Sequence, residues 1–199
     1  MPDIPLVHPI PAPDNTEELV DLMLFQLLRL PYPALTLCVQ RLLVNLGYQE
    51  VSILNRQFLR GRTNHGGVDM VAKTATPLGL MPAVIQVKKV AAPIPRAAID
   101  LIRGVMLRHG APHGLLITTS TFAGPALDAA GYYPGRPVRT VDCLELARLM
   151  VDARVGVRDV IDTTTGARTV EFDHGFFETI EESTNLQVHD ISCNLWGGK

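Results

Sequence analysis

From Ala34 to Val151 the chain switches back and forth between two hydrophobic rhythms, and this alternation restricts the fold more than any other feature. Leu35, Val39, Leu42, Leu43 and Leu46 recur at helical spacing, with Gly47 placed to follow the last turn. Glu50 to Leu54, Val68 to Ala72 and Ala83 to Val90 read as three strands, the last two flanking a bend at Pro77 to Gly79. Pro95 suits the first position of a helix that carries Ile94, Ala98, Leu101, Ile102 and Val105 on one side. Leu115 to Thr118, Pro125 to Ala130, Val138 to Val141 and Leu144 to Val151 continue as strand, helix, strand, helix. The order αβββαβαβα predicts an α/β layered domain with helices flanking a sheet.

The two ends read differently, so three segments are expected: 1–33, 34–153 and 154–199. A chain of 199 residues suits one compact core with extensions. Five prolines before Asp14 block helix and favour an extended arm. Asn15 followed by Glu18 reads as a capping box, and Leu19 to Leu30 is apolar on nearly every side. That helix is expected to be covered on more than one face, by the domain itself or by a second subunit, and to end at Pro31 and Pro33. In the last segment Val160 to Asp162 and Arg168 to Phe172 can pair as a hairpin across a Thr-Thr-Gly turn, leaving a polar, acidic tail that ends in Trp196.

The net charge of -2 averages unlike segments. Residues 1–30 hold one Arg and five Asp/Glu, a net of -4; residues 31–153 hold thirteen Lys/Arg and seven Asp/Glu, a net of +6. Residues 156–199 hold three Lys/Arg and eight Asp/Glu, a net of -5. A basic middle between acidic ends suits a core that binds a polyanion, with an acidic tail either restraining that binding, docking a basic partner or packing as structure. Cys38, Cys143 and Cys193 lie far apart and are odd in number, without the close pairs of a disulfide framework or a thiolate metal site. A reducing, cytoplasmic setting is expected. No stretch has the length and apolarity of a membrane span, and the first residues do not form a signal sequence.

The chemistry concentrates in Gly66-Gly67-Val68-Asp69 and Ile85-Gln86-Val87-Lys88-Lys89. Alternation along a strand puts Gln86 and Lys88 on one face while Ile85 and Val87 take the other. Asp69 lies on the preceding strand, so its carboxylate can converge with the amide and the amine. An Asp carboxylate, an amide oxygen and main-chain carbonyls are the ligands that Mg²⁺ accepts. Asp69 is then the principal metal ligand, Gln86 a weaker ligand or an orienter of water, and Lys88 the group that stabilises charge at a reacting phosphate. By itself, an Asp with a Q-x-K is a weak signal, because an edge strand often carries a Lys for solubility alone.

The order of several loose motifs is more specific: Leu42-Leu43-x-x-Leu46-Gly47-Tyr48, Gly66-Gly67-Val68-Asp69, Gln86-Val87-Lys88, Thr118-Thr119-Ser120-x-Phe122 with Ala126, and Asp142-x-x-Glu145-Leu146. Across about residues 34–153 this order resembles the Mrr-like restriction endonuclease domain of the PD-(D/E)xK nuclease superfamily. The resemblance implies a central mixed β-sheet flanked by helices and hydrolysis of DNA phosphodiesters with Mg²⁺, for which Mn²⁺ can substitute. Many relatives cut DNA bearing modified bases, a property that does not transfer to this chain. Thr36 departs from the family, which commonly has a Glu at that place on the first helix. Gln86 conforms, since Gln is typical there of the Mrr-like branch.

Arg60, Arg62 and Lys89 are expected to contact DNA phosphates, with Arg56, Arg96 and Arg103 as further candidates, although each taken singly reads more readily as solvated surface charge. His65 reads as a solvated loop residue, His109 and His113 as a turn, and Thr119 and Ser120 as caps of the helix after Phe122. DNA is the expected partner, with a homodimer if both strands are cut. A protein partner is the alternative role for the N-terminal helix or the acidic tail, and the rival function is a non-catalytic nuclease-like module that binds DNA or joins a larger complex. No Gly-rich phosphate loop is present to suggest a nucleotide enzyme.

Overall fold

The computed structural model describes residues 15–54, 67–77, 79–132, 135–161, 163, 166 and 168–184. Helices α1 (Thr16–Arg29) and α2 (Tyr32–Asn45) precede strands β1 (Gln49–Ile53), β2 (Met70–Thr76) and β3 (Gly79–Lys88). Helix α3 (Arg96–Arg108), strand β4 (His113–Thr118), helix α4 (Gly124–Tyr132), strand β5 (Val138–Val141) and helix α5 (Cys143–Asp152) follow. Strands β6 (Val157–Ile161) and β7 (Arg168–Phe172) then lead into helix α6 over residues 174–184. Between α2 and α5 the order is the one that the hydrophobic alternation predicts.

Five strands form one mixed sheet in the order β1-β2-β3-β4-β5. The β1–β2–β3 pairs are antiparallel and the β3–β4–β5 pairs parallel. The change of direction at β3 follows from the connections, because a short bend joins β2 to β3 whereas a whole helix separates β3 from β4. Each face of the sheet covers its own core. Ile85, Val87, Leu115 and Ile117 join α1, α2 and α5 on one side, while Val84 and Leu116 join α3 and α4 on the other. The helix ends explain part of this order: Gly47 (φ 87) closes α2 by donating to the Val44 carbonyl at 3.0 Å while Tyr48 donates to that of Leu43.

The N-terminal helix departs from expectation in three ways. Asn15 makes no capping bond; its Nδ2 donates to the Val170 carbonyl at 3.0 Å, tying the helix start to β7. Only one wide face of α1 is covered, by Leu19, Val20, Met23, Leu27 and Leu30, and Phe25 is 58% exposed alongside exposed Leu22 and Leu28. Pro31 ends α1, but Pro33 belongs to the first turn of α2, where a missing N–H costs nothing.

Three further readings change. Leu101 on α3 faces solvent and Ile99 and Met106 take the buried positions, because α3 meets the sheet on a stripe rotated from the expected one. Pro95 caps α3, which begins at Arg96. At the C-terminus the hairpin forms, with Val157 paired to Phe172 and Ile161 to Arg168. The chain after it is not simply a polar tail, since Phe177 and Ile180 of α6 enter the same core as α1, α2 and α5. No helix among the described residues is long and apolar enough to cross a membrane.

Candidate functional site

Strands β2 and β3 run as a regular ladder from Thr76 opposite Gly79 to Met70 opposite Ile85, and there they part. The Asp69 N–H makes the last rung, donating to the Ile85 carbonyl at 3.0 Å. One step on, the Val87 N–H has no backbone acceptor on β2 and donates instead to Asp69 Oδ2 at 2.7 Å. The carboxylate therefore plugs the ladder where the strands diverge. Asp69 lies one residue beyond the last paired position of β2 and Gln86 one residue beyond its partner on β3, with Lys88 on the same face of β3 as Gln86. The structure thus gathers all three candidate residues at one opening in the sheet.

Asp69 is 9% and Gln86 7% exposed, whereas Lys88 is only half-buried. Burial pushes the Asp69 carboxyl above its ordinary value, opposed by the Val87 N–H, the Tyr32 hydroxyl and the charge of Lys88. Among the described residues Gln86 Oε1 is buried without a hydrogen-bond partner, an arrangement that ordinarily costs about 1–3 kcal/mol. The amide nitrogen lies close against Gly67: a Cβ on this residue, which sits at φ +84, would lie 3.0 Å from Gln86 Nε2. Gly67 serves here through its backbone angle and its lack of a side chain.

Tyr32, in the first turn of α2, is a site residue that the sequence reading missed. Its hydroxyl donates to the Val87 carbonyl at 3.1 Å and also neighbours the Asp69 carboxylate. Burial, the Asp69 charge and the bond to Asp69 together raise its pKa. The only local signal was a tyrosine between two prolines at a helix start, which says nothing of a strand 55 residues away. Thr36, at the place where the family has Glu, is 1% exposed and turns its hydroxyl back to the Tyr32 carbonyl at 3.0 Å.

The donor set is all oxygen: one carboxylate, the orphaned Gln86 amide oxygen and the Val87 carbonyl. No group of three or more His, Cys, Asp or Glu able to hold a metal occurs among the described residues. These oxygens fit a hard divalent cation, and a buried oxygen without a partner is the observation that favours one. A single anionic ligand makes this a weaker site than a pair of carboxylates would.

The basic residues divide. Arg60, Arg62, Arg56 and His65 lie outside the described residues. Lys89 donates to the Leu28 carbonyl at 3.0 Å, in the last turn of α1. Arg103 donates to the Arg136 carbonyl at 3.4 Å and to the Ala129 and Ala130 carbonyls, and Arg96 pairs with Asp100. Thr119 and Ser120 do not cap α4. The Ser120 hydroxyl donates to the Ala91 carbonyl at 3.0 Å and the Thr118 hydroxyl to the Lys88 carbonyl at 2.9 Å, so this segment fastens the end of β4 to the end of β3. Asp142 caps α5 by accepting from the Glu145 N–H.

No curated protein sequence shows a match to the chain. Solved structures align with it at low identity, two restriction endonucleases among them. The DNA modification-dependent restriction endonuclease AspBHI aligns with a TM-score of 0.49 and 13% identity, over 93% of this chain and 42% of that one. The MspJI restriction endonuclease in complex with a 27-mer oligonucleotide aligns with a TM-score of 0.45 and 15% identity, over 85% of this chain and 34% of that one. The chain thus spans less than half the length of either. Residues 27–150 match the Mrr catalytic family, described as restriction endonuclease. With more than half of its residues inside that match, the chain belongs to the Mrr-type catalytic family of restriction endonucleases.

Proposed function

We propose that this chain is a divalent-cation-dependent DNA endonuclease whose catalytic residues are Asp69, Gln86 and Lys88. The observation that carries the reading is the end of the β2–β3 ladder, where a buried carboxylate, a buried amide oxygen with no partner among the described residues and a half-exposed Lys occupy neighbouring positions. Asp69 and Gln86 would hold Mg²⁺, or Mn²⁺ in its place, with the Val87 carbonyl within the same cleft. Bound there, the cation would supply Lewis-acid stabilisation of a phosphodiester and a more acidic water. Asp69 contributes the anionic ligand and Gln86 orients a neutral one. Lys88, with no ion-pair partner among the described residues, places a positive charge where the scissile phosphate gains negative charge.

DNA is the proposed substrate, with Arg60, Arg62 and Lys89 as phosphate contacts; Lys89 would exchange its bond to Leu28 for one to phosphate. Cutting both strands in one encounter calls for two sites, hence a homodimer. The test is cleavage of plasmid and single-stranded DNA, modified and unmodified, with Mg²⁺ or Mn²⁺ and with chelator. Metal-dependent cuts that vanish in Asp69→Asn support the reading. DNA binding without cleavage under every condition would instead support a non-catalytic module, which the exposed Leu22, Phe25 and Leu28 of α1 favour as an assembly surface.

A further inference from the structure

A strand residue directs its N–H and C=O to the same side, so both backbone groups of Val87 face the gap that β2 vacates. Asp69 satisfies the first and Tyr32 the second, at 2.7 Å and 3.1 Å. The Tyr32 hydroxyl also neighbours the Asp69 carboxylate. One phenol therefore touches both a carboxylate and a carbonyl that flank the proposed cation position. We propose that Tyr32 is a positioning residue for this site, its single hydroxyl proton shared between the Val87 carbonyl and the Asp69 carboxylate so that the two stay turned toward a common point. The proposal rests on the cation-binding reading above.

The local structure equips Tyr32 for this task. Pro31 caps α2 in an extended conformation (φ -63, ψ 154) and Pro33 stiffens the first turn, so the backbone that carries the ring has little freedom. Thr36 donates to the Tyr32 carbonyl at 3.0 Å, which fastens that turn from inside the helix. A half-buried aromatic ring with two torsions holds its hydroxyl at low entropic cost, unlike a long flexible side chain. Without the hydroxyl, the Val87 carbonyl loses its partner and the carboxylate keeps the Val87 N–H on one oxygen only. Two ligands that must converge on one cation would then be free to part.

The experiment compares Mn²⁺ binding by calorimetry in the wild type, Tyr32→Phe and Tyr48→Phe. Tyr32→Phe keeps the ring but strands the Val87 carbonyl, so the cation-free protein should stay folded with a somewhat lower unfolding temperature, and its Mn²⁺ Kd, measured well below that transition, should rise about tenfold, as expected for losing one hydrogen bond to a charged group. Its kcat for DNA cleavage should fall with KM for DNA unchanged. Tyr48→Phe removes a buried phenol hydroxyl just past the other end of α2, where the neighbouring charge is Arg139, and should leave the Kd unchanged. Equal or tighter Mn²⁺ binding by Tyr32→Phe overturns the role of Tyr32 while the cation site stands. Absence of Mn²⁺ binding by the wild type overturns the cation site itself, and the role of Tyr32 with it.

Discussion

Asp69 has two duties that pull against each other, since the same carboxylate that is proposed to bind a cation also closes the sheet by accepting from Val87. Sequence alone suggests that Asp69→Ala leaves stability untouched; the structure says otherwise, because the Val87 N–H would be stranded at a cost of about 1–3 kcal/mol. Asp69→Asn separates the duties. Its amide oxygen can still accept from Val87 and the buried charge is gone, so thermal unfolding should stay at or above the wild-type temperature while Mn²⁺ binding and cleavage fall to background. Retained cleavage would remove Asp69 from the site. Lys88→Ala should cut the cleavage rate about 10²–10³-fold with Mn²⁺ affinity largely intact, since the Lys is not a ligand; equal loss of affinity in both variants would refute that division of roles.

Gly67 stands just before β2, beside the point where that strand parts from β3. At φ +84 a side chain is strained, and a Cβ would meet the Gln86 amide at 3.0 Å. Gly67→Ala is expected to lower stability by about 1–2 kcal/mol and to displace Gln86, weakening Mn²⁺ binding along with it. Unchanged affinity would show that the amide oxygen does not serve the cation. At the start of β4, burial holds the His113 imidazole below its ordinary value of 6.5. The folded chain then binds this proton less readily than the unfolded one, so the contribution of His113 is full above about pH 6.5 and is lost as pH falls toward the folded pKa. Melting temperatures measured from about pH 7.5 down to about pH 5 should decline less steeply in His113→Gln, and an identical slope would exclude this group.

For the molecule as a whole, the segments that flank the Mrr-like region are built into its core. Val157 and Val170 of the hairpin and Phe177 and Ile180 of α6 pack with α1, α2 and α5. Phe177 stacks on Phe172 at 5.1 Å between ring centroids and meets Phe176 edge-on at 5.0 Å. Burial and the nearby Glu181 carboxylate of α6 push the Cys38 thiol of α2 up to about 12, an electrostatic sign of how closely α6 covers α2. An acidic extension that only restrained DNA binding would leave a soluble, folded protein when removed. The packing leads to the opposite expectation: truncation after Val155 should give an aggregated or loosely folded product, and Phe177→Ala should cost about 3–5 kcal/mol in denaturant unfolding. A folded truncation with tighter DNA binding at low salt would restore the restraint hypothesis.

Local periodicity was enough to order the elements from α2 to α5 and to place Gln86 and Lys88 on one face of β3, because a period of two or 3.6 residues is written into neighbouring positions. The hairpin was legible for the same reason. Partners set by distant packing were not. Asn15 fits a capping motif, yet Val170, 155 residues away, takes its side chain. Leu101 keeps helical spacing with the buried face of α3, yet the crossing of helix on sheet leaves it in water. Lys89 looked like a free cation until the end of α1 came to rest beside it. Tyr32 entered the site because α2 packs across the point where β2 leaves β3, a coincidence of surfaces that no local pattern encodes. The amino-acid order by itself determined which chemical groups share a strand; the tertiary structure decided which of them are buried, which are already bonded and, among the described residues, which buried amide oxygen is left without a partner.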